Sequence, residues 1–150
     1  MEKIEWSLQQ LIAKSETYCA NAEHCVSEVK NKLLLWGATQ EQIEQILELL
    51  IQRKYIDEKR YVAAVVHDKL AFQGWGRTKI RLFLQSKYIP SSYIDQALNA
   101  IDDEEYKKIL ERVISSKKRS LKTSDLQSKN KLIRFCLQRG FTYEEIHQLL

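Results

Sequence analysis

YIDEKRYVAAVVHDKLAFQGWGRTKIRLFLQSKYIPSSYIDQALNAI, residues Tyr55–Ile101, holds three helix-length apolar patterns, the only Pro and two of the four Gly in the chain. Asp57 is a good N-cap for the first of these helices. Tyr61, Val65 and Phe72, with Val62, Val66 and Leu70, cover about half of its circumference, the pattern of a deeply packed helix. QGWG (73–76) breaks it. A second helix over 77–87 turns Ile80, Phe83 and Leu84 inward, and Ile89-Pro90 ends it and starts the next. That third helix carries Ile94, Ala97, Leu98 and Ile101 on one face.

The same grammar extends both ways. Upstream, residues 6–22 place Leu8, Leu11, Ile12, Ser15, Tyr18, Cys19 and Ala22 on one helical face, with Trp6 opposite. A helix over about 26–36 buries Val29, Leu33 and Trp36, and Gly37 supplies a left-handed stop. Thr39 with Gln42 is a capping box for a helix striped by Ile43, Ile46, Leu47 and Leu50. Downstream, a long helix from Glu104 shows Tyr106, Ile109, Leu110, Val113 and Ile114. Its acidic first turn and basic last turn complement the helix dipole. SLKTSD (120–125) is a flexible joint. An eighth helix holds Leu132, Ile133, Phe135, Cys136 and Leu137 and stops at Gly140. Thr142 with Glu145 caps a short ninth with Ile146, Leu149 and Leu150.

These segments repeat. Val29, Leu33, Gly37, Thr39, Ile43 and Leu47 recur 51 residues later as Ile80, Leu84, Tyr88, Pro90, Ile94 and Leu98. They recur 52 residues further on as Leu132, Cys136, Gly140, Thr142, Ile146 and Leu150. The expected fold is all-α: three tandem three-helix repeats, each able to close a small core and lean on its neighbour, in an elongated, curved arrangement. The expected boundaries are 1–54, 55–102 (central and basic) and 103–150. Tyr88 stands where the other repeats have Gly, so its turn is expected to differ.

Composition agrees. At 150 residues, 44% apolar and 29% charged, this is a globular chain, and four Gly with one Pro are too few turns for sheets. Cys19, Cys25 and Cys136 form no CxxC pair, which favours free thiols in a reducing cytoplasm. Glu2, Lys3 and Glu5 precede any apolar run, so no signal peptide is expected, and no run is long enough to cross a membrane.

Catalysis finds no footing. His24, His67 and His147 are scattered, with His67 on the solvent side of its helix. Cys19, His24 and Cys25 lack the second half of a zinc site. No phosphate loop or nucleophile elbow is present. No enzyme, metal or cofactor is expected.

Charge is the better lead. Residues 1–50 hold four Lys/Arg against eight Asp/Glu, residues 51–100 nine against four, and residues 101–150 eleven against eight. Arg77 and Arg81 lie one turn apart beside Trp75, with Lys69, Lys79 and Lys87 around them. A second group, Lys117, Lys118, Arg119, Lys122, Lys129, Lys131 and Arg134, flanks the 120–125 joint. Arginine beside aromatic surface binds phosphates or carboxylates and stacks on bases. Basic residues at helix ends are also an ordinary solubilising surface, so both readings stand.

YIDEKRYVAAVVHDKL, WGRTKIRLFLQSKYIP and IDQAL resemble the RecX family, bacterial regulators of the RecA recombinase. SEVKNKLLLWGATQEQIEQIL and LIRFCLQRGFTYEEIHQLL resemble its outer repeats more loosely. The resemblance implies a non-enzymatic protein that binds the RecA–single-stranded DNA filament along its groove. Family members commonly suppress ATP hydrolysis, strand exchange and co-protease function in the SOS response. The implied partners are RecA and single- and double-stranded DNA, with no membrane, for a cytoplasmic monomer. Arg60, Lys69, Trp75, Arg77, Lys79 and Arg81 are the central contacts it implies, while His67 departs from the family's basic residue. The alternatives are a stand-alone helical nucleic-acid-binding protein and a scaffold whose acidic first repeat binds a basic partner.

Overall fold

Capping chemistry sets where the helices begin. In the computed structural model, which describes residues 5–150, Ser7, Thr39 and Thr142 each accept a backbone N–H from a residue three further on, and Gln10, Gln42 and Glu145 return the bond as capping boxes. Asp57, Asp102 and Asp125 cap in the same way through one carboxylate oxygen. The helices are α1 (Leu8–Asn21), α2 (Val26–Leu35), α3 (Gln40–Gln52), α4 (Glu58–His67), α5 (Arg77–Ser86), α6 (Ser91–Asn99), α7 (Asp103–Ser120), α8 (Leu126–Gln138) and α9 (Tyr143–Leu149). There is no strand among the described residues. Glu2 and Lys3 lie outside them. No described helix is long and apolar enough to cross a membrane.

The helices pack in threes: α1 on α2 and α3, α4 on α5 and α6, and α8 on both α7 and α9. The repeat is visible in hydrogen bonds as well as in residues. At the end of the middle helix of each unit, one backbone N–H reaches back five residues: Ala38 to Leu33, Ile89 to Leu84 and Phe141 to Cys136. The residue before each lies in the left-handed region, at φ +83 for Gly37, +59 for Tyr88 and +99 for Gly140.

Tyr88 thus adopts the same stop as its glycine counterparts, and the expectation of a different turn fails. Its side chain is 82% exposed, so almost no packing holds it there. Tyr88→Gly should leave stability unchanged or raise it by up to about 1 kcal/mol, because relief of the left-handed strain offsets the extra chain entropy of Gly. A urea titration that shows a loss above about 1 kcal/mol would refute this.

A second difference lies in the first helix of the opening stretch. After His67 the chain takes one π-helical turn, Asp68–Phe72. The wider turn shifts the register, so Leu70 stays 4% exposed while Phe72 turns out to 77%. A continuous helix would have kept Phe72 in the packed arc.

The cores are also not three. The first unit has its own, built on Leu11, Val29, Leu33, Ile43, Ile46 and Leu50. The second and third share one, running from Tyr61 and Ile80 through Tyr106 and Leu110 to Phe141 and Ile146. Among the described buried residues only Cys25 crosses from the first unit into it, and Ile56 of the second crosses into the first core. The chain exposes 10017 Å², against about 7,900 Å² for a compact monomer of this mass. That excess is the signature of an elongated stack.

Candidate partner-binding surface

Helix α5 divides the central basic residues into two faces. Ile80 and Leu84 are its buried stripe. With about 100° between residues, Arg77 and Arg81 fall on one side of the stripe and Lys79 and Phe83 on the other. The expected single group around Arg77 and Arg81 is therefore split.

The arginine side faces inward along the chain. The Arg77 guanidinium stacks 3.9 Å from the centre of the Tyr106 ring. It also lies 3.5 Å from Asp103 and 3.7 Å from Glu145, with Nε donating to the Leu98 carbonyl at 3.4 Å. The Arg77 backbone N–H donates to Tyr106 Oη at 3.1 Å. Burial pushes the Tyr106 phenol up to about 12. Arg81 pairs with Asp95 at 2.6 Å. Arg77 ties the second unit to the third, and Arg81 ties α5 to α6.

Two more candidates sit at the first joint. Arg60 Nε donates to Glu23 and its Nη2 donates to the Lys54 carbonyl at 3.0 Å. Lys87 Nζ lies 3.2 Å from Glu28, and the Ser27 hydroxyl donates to the Lys87 carbonyl at 2.8 Å. Val26 N–H donates to Glu58 at 3.2 Å. Desolvation raises the Glu58 carboxyl. Desolvation also pulls Glu28 up, but hydrogen bonds from His24 and Lys87 outweigh it and hold that carboxyl below its usual range. The acidic first unit thus spends part of its charge on its neighbour.

Lys79 and Phe83 open onto a cation–aromatic cluster. Trp75 is half-buried, with Lys69 Nζ at 4.5 Å and Lys79 Nζ at 4.3 Å from its ring centre. Phe83 meets Trp75 edge to face at 6.0 Å and carries Lys69 at 4.9 Å and Lys87 at 5.5 Å.

The second expected group also divides. Lys118, Lys122 and Lys129 line an open cleft of about 590 Å³ around the 120–125 joint. Arg119 lines a separate cleft beyond the other side of α7, bounded by Phe72, Arg112, Phe135 and Arg139. Lys117 and Arg139 lie 4.9 and 5.0 Å from the Phe135 ring centre. Lys131 and Arg134 are exposed on α8. His67 is solvated and meets Phe72 edge-on at 5.7 Å. Sequence reasoning missed Arg112 and Arg139. Arg112 was within reach, since it lies seven residues before Arg119 on the same face of α7.

Among the described residues no group of three His, Cys, Asp or Glu is gathered to hold a metal ion. Cys19, Cys25 and Cys136 are free and buried. Burial raises the Cys19 and Cys136 thiols, which leaves them poor nucleophiles.

Family models described as the second and third three-helix domains of RecX match residues 57–98 and 103–150. Regulatory protein RecX of Clostridium tetani is 32% identical over 82% of this chain and 57% of its own length. Regulatory protein RecX of Chlorobaculum tepidum is 31% identical over 86% of this chain and 79% of its own. The chain thus spans little more than half of the clostridial relatives. A crystal structure of RecX from Lactobacillus salivarius shares the fold at a TM-score of 0.81 and 22% identity, over 94% of this chain and 92% of that one.

Proposed function

The chain belongs to the RecX family, and on that premise we propose that it is a non-enzymatic regulator of RecA. In this reading it binds the RecA–single-stranded DNA filament and lowers its ATPase, recombinase and co-protease activities. The observation that carries it is a coincidence of place. The matched segments, 57–98 and 103–150, are those that hold the Trp75 cluster and both basic clefts. Lys69, Trp75 and Lys79 with Lys117, Lys118, Arg119, Lys122, Lys129, Lys131 and Arg134 then form the contact set. Arg60, Arg77, Arg81 and Lys87 set the geometry of the stack that presents it. The division at 1–54, 55–102 and 103–150 is part of the proposal, as are a cytoplasmic site of action and a monomeric state. Free buried thiols suit a reducing compartment.

RecA ATPase on single-stranded DNA tests this directly. Added protein should lower the rate several-fold at less than one molecule per RecA. No change at any ratio, with no co-sedimentation on the filament, would refute it.

A second reading, a stand-alone nucleic-acid-binding protein, is favoured by the two clefts that are lined by cations and no Asp or Glu side chain. It requires binding to DNA without RecA that weakens steeply with salt.

A further inference from the structure

The cleft around Arg119 has a composition that the fold itself does not require. It sits where the π-helical turn and the loop after it lie against α7 and α8, with a volume of about 440 Å³, inside the range of roughly 300–1,000 Å³ usual for ligand clefts. Three arginines and two phenylalanines line it, with no carboxylate. The other clefts that hold arginine are neutralised from within: Arg77 faces Asp103, Glu104 and Glu145, and Arg53 faces Glu16.

Each arginine keeps donors to spare. Arg112 Nη2 donates to the Ala71 carbonyl at 2.9 Å and Arg139 Nη1 donates to the Gln73 carbonyl at 2.8 Å. These bonds satisfy carbonyls that the end of the helix leaves open and fix the two guanidinium groups in place. Each uses one of five N–H donors. The Arg119 side chain, exposed on the last turn of α7, makes no ion pair or hydrogen bond among the described residues. Beside it Phe72 stands 77% exposed, on a π-helical turn, a feature that recurs at functional sites. Burying Phe72 would have needed only a regular helix. A fixed fork of cations next to an open aromatic face is the chemistry that holds phosphate and stacks a base.

We propose that this cleft is a nucleotide seat, with a phosphate on Arg119, Arg112 and Arg139 and a base against Phe72. The inference rests on the filament-regulator reading and names which part of the filament the cleft takes. A nucleotide within a single strand and a free nucleotide share this chemistry. The strand is the expected source, because Lys117, over the Phe135 ring that lines the same cleft, gives a longer anion a further contact.

The test uses the intact chain and fluorescein-labelled oligothymidylate, read by anisotropy at two salt concentrations, with thymidine monophosphate as competitor. Phe72→Ala should weaken strand binding roughly five- to hundred-fold, the range for loss of one stacked base. Arg119→Glu should flatten the dependence of log K on log salt by at least about 0.7, the share of one phosphate contact on a single strand. Both residues are exposed, and circular dichroism melts confirm that the fold is kept. Competition by thymidine monophosphate that both variants abolish assigns the seat to free nucleotides as well. A parent chain that binds neither probe, or variants that bind like the parent, would overturn the proposal. So would variants that bind the strand normally yet lose the filament, since the cleft would then take acidic protein surface. Failure of the broader reading looks different: the parent binds the strand through Phe72 and leaves RecA ATPase unchanged.

Discussion

Gly140→Ala will open the seam between the second and third units and cost about 2–5 kcal/mol of stability. Two effects add. Gly140 has φ +99, and a left-handed backbone costs an L-residue about 1–2 kcal/mol. Its new Cβ would also sit 2.4 Å from Lys79 Cβ and 2.6 Å from the Lys79 nitrogen. Neither is the end of a flexible side chain, so the first turn of α5 must move. Overpacking of this kind costs about 1–3 kcal/mol. That movement stretches two hydrogen bonds across the seam, from Gly76 N–H to the Arg139 carbonyl at 2.7 Å and from Thr78 N–H to the Gly140 carbonyl at 3.1 Å. For a domain of this length the loss is a fall in Tm of roughly 5–20 °C. Gly37→Ala is the matched control. It has φ +83 with no atom within 4 Å of the added Cβ, so only the backbone term of about 1–2 kcal/mol remains. Urea denaturation of the two variants checks the difference. Equal losses would mean that the seam is soft.

The two glycines also mark what the sequence made legible. Gly37 and Gly140 read as helix stops because a left-handed residue is a local requirement, and local requirements leave local signals. The caps at Thr39, Asp57 and Thr142 and the stripes of α3, α5 and α8 were readable for the same reason. The contact between Gly76 and Gly140 was not, since nothing near either residue points to the other. The same limit governed the charges. Arg77 and Arg81 sit one turn apart beside Trp75 in sequence, which is the pattern of an exposed pair. Whether Arg77 faces a ligand or Tyr106 and Asp103 depends on how the second unit meets the third, and whether Arg81 faces a ligand or Asp95 depends on how α5 meets α6. Phe72 was misplaced for a subtler reason. DKLAF is as apolar and regular as a continuing helix, and the partner that meets its π-helical turn, Arg112 of α7 on the Ala71 carbonyl, lies about forty residues away in sequence. The extent of each core was the least legible feature. Periodicity identifies an apolar face, but it cannot say whether that face closes within its own unit or against the next.

That last point predicts how the chain divides. A fragment of residues 55–150 should fold and unfold cooperatively, with helix content per residue close to that of the whole. It keeps the entire shared core except Cys25. It loses the pairs Arg60–Glu23 and Lys87–Glu28, the hydrogen bonds from Ser27 and Val26, and the cover that the first unit's core gives Ile56. Such pairs contribute about 0–1 kcal/mol each. A fragment of residues 103–150 should be largely unfolded. Tyr106, Leu110, Leu132, Cys136 and Phe141 lie in one core with Val66, Leu70, Ile80 and Leu84, so its apolar face would be open to water. A chain of that length has little surface to bury on its own. Far-UV circular dichroism with urea titration decides the matter. A cooperative 103–150 fragment would show that the third unit closes its own core. A non-cooperative 55–150 fragment would show that the first unit is needed for the rest to fold. The expected outcome makes the chain a rigid pair with an acidic unit hinged to it through ion pairs and the apolar contacts of Ile56 and Cys25. Salt would then act first on that hinge, because charged pairs are screened within about 8–10 Å at ordinary ionic strength while the shared apolar core is not.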